Sequence, residues 1–295
     1  MAMSAFVRAA RHVTCFESCM RARKAWAEAQ SAARLHALGL VGLENKLYQK
    51  QFLAVEAEVA TPRSLASHAD FERSHVVAAL EAAANTEHGI VIKPTHLCAS
   101  VGVFFVGADG EVRFPSQSGP GAGDASINAW QCRMRAAAAD GAAAADLIHG
   151  ELRRLLATPC APDEAKPLRL VPHRVVVEER VPVACEVRVA LVHGHVVGAA
   201  TDDCNIVDLA GAFPLCGGAI RDAAARFSRA CGDPDFLRVD FFVRSDGGYA
   251  FNEACTFLWA GDTFFHEATR EAAFELMMHL PASPWTRQAG IRRLP

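Results

Sequence analysis

The chain has 295 residues, 51% hydrophobic and 21% charged, with a formal net charge of −3, which makes it globular and long enough for one large domain or two closely packed lobes. That balance offers no electrostatic case for nucleic acid, and no apolar run reaches the roughly eighteen residues that a membrane span requires. Ten cysteines without a CxxC pair exclude a zinc ribbon and a dense secreted disulfide scaffold, and point to reduced thiols in a cytoplasmic setting.

The opening MAMSAFVRAARHV is Ala- and Arg-rich and carries no acid before Glu17; it has a weak likeness to an organelle transit peptide, with an ordinary first helix the preferred reading. The apolar positions Phe16, Met20, Trp26, Ala29, Ala33 and Leu38 follow a helical period up to Gly39, which predicts one packing helix. A second helix begins near Asn45 as cap, places Lys46 in its first turn and leads into a short strand ending at Pro62. A helix from Glu72 to Ala84 precedes an apolar strand, Ile90 to Lys93, stopped by Pro94. Lys93 has no obvious protein partner in the sequence, and burying an unpaired ammonium is costly, so an anionic ligand or an escape to solvent must satisfy it. A hairpin comes next over Val101 to Val106 and Glu111 to Phe114, turning at Asp109-Gly110. Residues 115–166 read as a mobile connection with one or two helices, and its GPGAGD run lacks the lysine spacing of a phosphate loop. Beyond it come a buried-type strand, Arg174 to Glu178, a hairpin from Glu186 to Ala200 turning at His193-Gly194, and a helix from Ala219 to Ala230. A last helix spans Phe265 to Leu280, and the polar tail beyond it carries Arg292 and Arg293.

The stretch RVDFFVRSDGGYAFNEACT, Arg238 to Thr256, organises the rest. Strands over 238–243 and 249–255 flank a Ser-Asp-Gly-Gly turn. If Arg244 faces Tyr249, the same register sets Phe242 against Phe251, Asp240 against Glu253 and Arg238 against Cys255. Directly opposed Cβ atoms lie roughly 5 Å apart and like charges there repel, so a buried Asp-Glu pair needs a proton, a cation or solvent. A divalent metal answers most economically; the alternative is a wet hairpin whose acids face water.

A lysine in ENK, a lysine in IVIKP before a loop of small residues, a VVVEERV strand end followed by a glutamate, then RVDFF and NEACT: in this order the motifs resemble the ATP-grasp superfamily, closest to its TupA-like group and more distantly D-alanine–D-alanine ligases. The resemblance covers about residues 40 to 265. It implies an α+β fold, two lobes with antiparallel sheets enclosing an ATP cleft, divided as an N-terminal helical segment (1–43), a first lobe with the Gly/Ala-rich connection (44–166) and a second lobe with a C-terminal helix and tail (167–295). It also implies ATP and Mg²⁺ as cofactors. Lys46 and Lys93 would touch the phosphates; Glu178, with the backbone of Glu179 and Val181, would line the adenine edge; Glu186 would take the ribose hydroxyls. Asp240 and Glu253 would hold Mg²⁺, and Arg238 would face the transferring phosphoryl group, with Lys93 as the second catalytic cation. Two features depart from the pattern. Cys255 stands where superfamily ligases usually place Asn, and THLCASVG after Lys93 has one glycine where such loops are often richer.

The activity implied is that of an ATP-dependent ligase, which activates a small-molecule, glycan or peptide carboxylate as an acyl phosphate for capture by an amine or thiol. A kinase acting on a hydroxyl would use the same ATP site. A nucleotide-binding module without turnover is the reading that the two departures favour.

Overall fold

The computed structural model describes residues 16–96, 102–113, 132, 137, 141–160, 164–202, 205–256 and 267–279. The transit-like start, most of the loop after Lys93, the GPGAGD run and the C-terminal tail lie outside the described residues. The strands, in chain order, are β1 (Ser64–His68), β2 (Ile90–Pro94), β3 (Phe104–Val106), β4 (Val112–Arg113), β5 (Val175–Glu179), β6 (Val183–Val192), β7 (His195–Thr201), β8 (Leu237–Arg244) and β9 (Tyr249–Cys255). They form two antiparallel sheets in an α+β architecture. One compact unit comprises Pro62–Pro162 and Val171–Pro182; the other comprises Met1–Thr61, Asp163–Leu170 and Val183–Pro295.

In the first of these units the strand order is β1-β5-β2-β3-β4. Because β5 hydrogen-bonds to both β1 and β2, residues 171–182 group with 62–162, although a sequence boundary at 166/167 assigns them to the second lobe. The expected strand ending at Pro62 is instead β1, which starts after that proline and lies against β5. Ile90, Ile92, Phe104, Val106, Val175 and Val177 build the core with apolar residues of helices Arg73–Ala84 and Gly141–Ala157. Strand alternation therefore sends Lys93 and Glu178 to the opposite face of the sheet.

In the other unit the order is β7-β6-β8-β9, so β9 is an edge strand. Val187, Val189, Leu191, Val239, Phe241 and Phe251 share a core with Ile220, Ala223, Ala224 and Phe227 of helix Gly217–Ala230. The second face is divided. Ala190, Val192 and Phe236 are covered by Phe16 and Met20 from helix Phe16–Ala29 and by Ala273 from helix Glu267–His279, while the rest of that face carries charged side chains. The single N-terminal helix expected from periodicity is broken: it stops at Ala29, and a new helix, Ala32–Ala37, starts where the Ser31 hydroxyl accepts from the Arg34 N–H at 3.2 Å, a local bond that competes with continuing the first helix. The β6–β7 turn lies at His193-Gly194 as expected, both residues having positive φ (48° and 79°), which matches the twist of a two-residue hairpin.

Gly89, just before β2, is the position where a side chain fits least. Its φ is +81°, and a Cβ there would stand 2.0 Å from the Val106 carbonyl oxygen. Gly89→Ala is expected to destabilise the unit that carries Lys93 by more than about 2 kcal/mol, through left-handed strain and a backbone clash; the urea midpoint measures it, and an unchanged midpoint would show that the turn relaxes freely.

Candidate functional site

The β8–β9 hairpin has the expected register at one end only. Arg238 pairs with Cys255, Val239 with Ala254 and Asp240 with Glu253. Towards the turn, Phe241 faces Phe251, Phe242 faces Ala250 and Val243 faces Tyr249, so the expected Phe242–Phe251 and Arg244–Tyr249 pairs are each displaced by one residue. The extra residue is Asn252, a β-bulge between Phe251 and Glu253. It has a packing cause: Phe251 and Ala254 both belong to the core, and three steps along a regular strand would put them on opposite faces. The bulge returns Ala254 to the core and leaves Asn252 and Glu253 turned to the charged face. There Asn252 Nδ2 donates to Glu186 Oε2 at 3.1 Å.

Three acids and three cations meet on that face. The Arg238 guanidinium holds both oxygens of Asp240, Nε to Oδ1 at 2.9 Å and Nη2 to Oδ2 at 2.8 Å, the residues lying two apart on β8 and so on one face. Lys46 Nζ is 2.7 Å from Glu253 Oε2, and Arg238 Nη2 is 3.7 Å from Glu253 Oε1. Arg188, directly opposite Asp240 on β6, donates to Glu186 Oε1 at 3.1 Å. Asp240 is fully buried; burial pushes its carboxyl up to about 7, the Arg238 charge opposing this and the Glu186 and Glu253 charges adding to it. Glu186 is raised as well, first by burial and then by Glu253. Arg188 and Asn252 were not singled out from the sequence. Arg188 was within reach, because Glu186 and Arg188 are two apart on one strand, whereas Asn252 owes its place to the bulge.

Among the described residues no group of three His, Cys, Asp or Glu side chains is arranged to hold a metal ion. A pair of carboxylates nevertheless suits Mg²⁺, which commonly takes one or two protein carboxylates and completes its shell with water and phosphate oxygens. Cys255 stands at the end of the charged face, yet its side chain packs against the apolar cluster around Phe236 and is hydrogen-bonded to the carboxyl of Glu44.

The other expected ATP-binding residues lie in the unit built on β2 and β5. Lys93 does have a protein partner: its Nζ is 2.8 Å from Glu178 Oε2, and both side chains are buried. The sequence concealed this pair because β2 and β5 are some eighty residues apart in the chain and neighbours in the sheet. Glu179 is ion-paired with Arg63, and its N–H donates to the Arg63 carbonyl at 2.9 Å. Val181 lies just past the end of β5 and is half-buried.

Removing one member of a buried ion pair strands the other, so Lys93→Met alone should cost about 3–5 kcal/mol, and Lys93→Met with Glu178→Gln should recover most of it; urea titrations of the two variants make the comparison, and equal losses would show that the pair is solvated. The Asp240 carboxyl, raised from its usual 3.8 to about 7, binds a proton more tightly folded than unfolded. Its contribution to stability is therefore complete below about pH 4 and is lost as pH rises through about 7. In chelator, Asp240→Asn should flatten this fall in melting temperature between pH 4 and 7, leaving the part due to Glu186; a slope identical to wild type would place the titration elsewhere.

No protein-family model matches the sequence, and no curated protein sequence matches it. Among solved structures, the chain is similar to the ATP-grasp ligase PsnB complexed with a phosphomimetic variant of its minimal precursor, Mg and ADP, at 15% identity and a TM-score of 0.43 over 79% of this chain and 57% of that one. It is similar to D-cycloserine synthetase DcsG at 14% identity and a TM-score of 0.44, over 80% of this chain and 70% of that one. The D-alanine–D-alanine ligase of Bacillus anthracis gives 13% identity and a TM-score of 0.46, over 83% and 74%. The chain spans less than two thirds of the length of the PsnB structure it matches.

Proposed function

We propose that this chain is an ATP-dependent ligase of the ATP-grasp type, nearest in motif order to the TupA-like group, that transfers the γ-phosphate of ATP to a substrate carboxylate and lets an amine or thiol capture the acyl phosphate. The observation that carries the reading is the Arg238–Asp240 fork beside Glu253 and Lys46 on one face of a bulged hairpin. A free carboxylate is unreactive towards amines, and a phosphate leaving group makes its carbonyl electrophilic. Negative charge develops on the phosphoryl oxygens in the first step and on the carbonyl oxygen in the second. A guanidinium held in place by Asp240 is suited to stabilise both without reorganising.

In this reading Lys46 and Lys93 bind phosphate oxygens, Glu178 with the backbone of Glu179 and Val181 lines the adenine edge, and Glu186 takes the ribose hydroxyls. Asp240 and Glu253 hold Mg²⁺, which when bound neutralises charge on the β- and γ-phosphates. Lys46 and Arg238 lie against the same two carboxylates, so both cations stand beside the place that Mg²⁺ would take. The acceptor is a small-molecule, glycan or peptide carboxylate in a cytoplasmic setting. No helix among the described residues is long and apolar enough to cross a membrane.

Incubation with ATP, Mg²⁺ and a panel of carboxylates in hydroxylamine tests the reading: hydroxamate and ADP are expected, a stable phosphoester would make the protein a kinase, and ATP binding without ADP formation would make it a binding module. Asp240→Asn and Glu253→Gln should each lower kcat at least about 100-fold while the protein stays folded. Full turnover in both variants would leave the acids as an ordinary polar face.

A further inference from the structure

At Ala254 the outer edge of β9 is completed by a side chain rather than by another strand. Both polar groups of the Ala254 backbone are taken by one carboxamide: Gln49 Oε1 accepts from the Ala254 N–H at 3.0 Å, and Gln49 Nε2 donates to the Ala254 carbonyl at 2.7 Å. A neighbouring strand residue would supply the same two bonds. The second Nε2 hydrogen goes to the Leu43 carbonyl, and the side chain is wholly excluded from solvent. Two residues further along the chain, the buried Glu44 carboxylate accepts from the Thr256 N–H at 2.9 Å and from its hydroxyl. Between these anchors the Asn45 side chain accepts from the Leu47 and Tyr48 N–H groups and starts the helical turn Lys46–Tyr48. The turn passes at Gln49 into a five-residue π-helical stretch, Gln49–Leu53, a local irregularity of the kind that accompanies functional sites.

Lys46 sits one turn before Gln49, and its ammonium meets Glu253, the residue next to Ala254. A lysine side chain is flexible, so the place its ammonium can reach is set by where the backbone of its turn is pinned. We infer that Gln49 is a positioning residue: its carboxamide fixes the turn bearing Lys46 against β9 and thereby sets the Lys46 ammonium against the Glu253 carboxylate. This rests on the proposed nucleotide reading, in which those two groups serve one Mg²⁺–ATP. Gln49 touches neither the nucleotide nor the cation in this role and acts through Lys46.

A double-mutant cycle read by calorimetric titration of folded protein with Mg²⁺–ATP tests it. Gln49→Met, similar in length and without polar groups, should weaken binding about tenfold in the wild-type background and leave it unchanged in a Lys46→Met background, since a residue that acts through Lys46 is non-additive with it. Gln49→Asn, which keeps the carboxamide on a shorter arm, should weaken binding with the same dependence on Lys46, and it supplies the cycle if the methionine variant does not fold. Equal weakening in both backgrounds, or wild-type affinity in the Gln49 variants, overturns the inference while leaving the nucleotide reading in place. Absence of Mg²⁺–ATP binding by the wild-type chain overturns both.

Discussion

Asp240 is a carboxyl with no exposure to water, held at both oxygens by one guanidinium. A buried charge of this kind is tolerated only with paired charge and satisfied hydrogen bonds around it, and much of the surrounding unit answers to that demand. Arg238 supplies the fork, Lys46 neutralises the neighbouring Glu253, and Arg188 neutralises Glu186. Even so, burial pushes the Asp240 carboxyl up to about 7, against the opposing charge of Arg238. A buried carboxyl in that setting takes up either a proton or a cation, and the proposed chemistry uses the second.

The sheet that bears this cluster meets different demands on its two faces. One face is wholly apolar against helix Gly217–Ala230, and Phe227 stacks on Phe251 with ring centroids 4.6 Å apart. The other is apolar only where helices Phe16–Ala29 and Glu267–His279 contribute to the cover. The bulge at Asn252 reconciles the faces: hydrophobic burial of Phe251 and Ala254 sets the alternation of β9 on one side, and the inserted residue places Asn252 and Glu253 side by side on the other. Since β9 is an edge strand, this distortion costs no pairing with a further strand. Its outer hydrogen-bonding groups are satisfied instead by Gln49, Glu44 and the Ala60 carbonyl, which accepts from the Phe251 N–H.

Lys93 and Glu178 show the same principle in the other unit. Lys93 is the charged residue of apolar β2 and Glu178 follows three valines in β5, both on the face turned away from the core. A lysine with no evident partner along the chain is neutralised by a glutamate from a neighbouring strand. Such a pair is costly to break singly and open to exchange with an incoming anion, so it is compatible with a phosphate-binding role without demanding one.

The sequence by itself determined the alternating strands and the SDGG and His-Gly turns, because two-residue periodicity and turn chemistry are local; a regular ladder running out from the observed turn would set Asp240 against Asn252, and the bulge is what sets it against Glu253. Only the tertiary structure decided where β5 pairs, which acid meets Lys93, that Asn252 is inserted into the hairpin, and that Arg188, Glu44 and Gln49 belong around the cluster. The reason is physical. Cross-strand partners distant in the chain leave no periodic trace, and a bulge arises when a core on one face requires two residues, here Phe251 and Ala254, to point the same way across an interval that a regular strand cannot span.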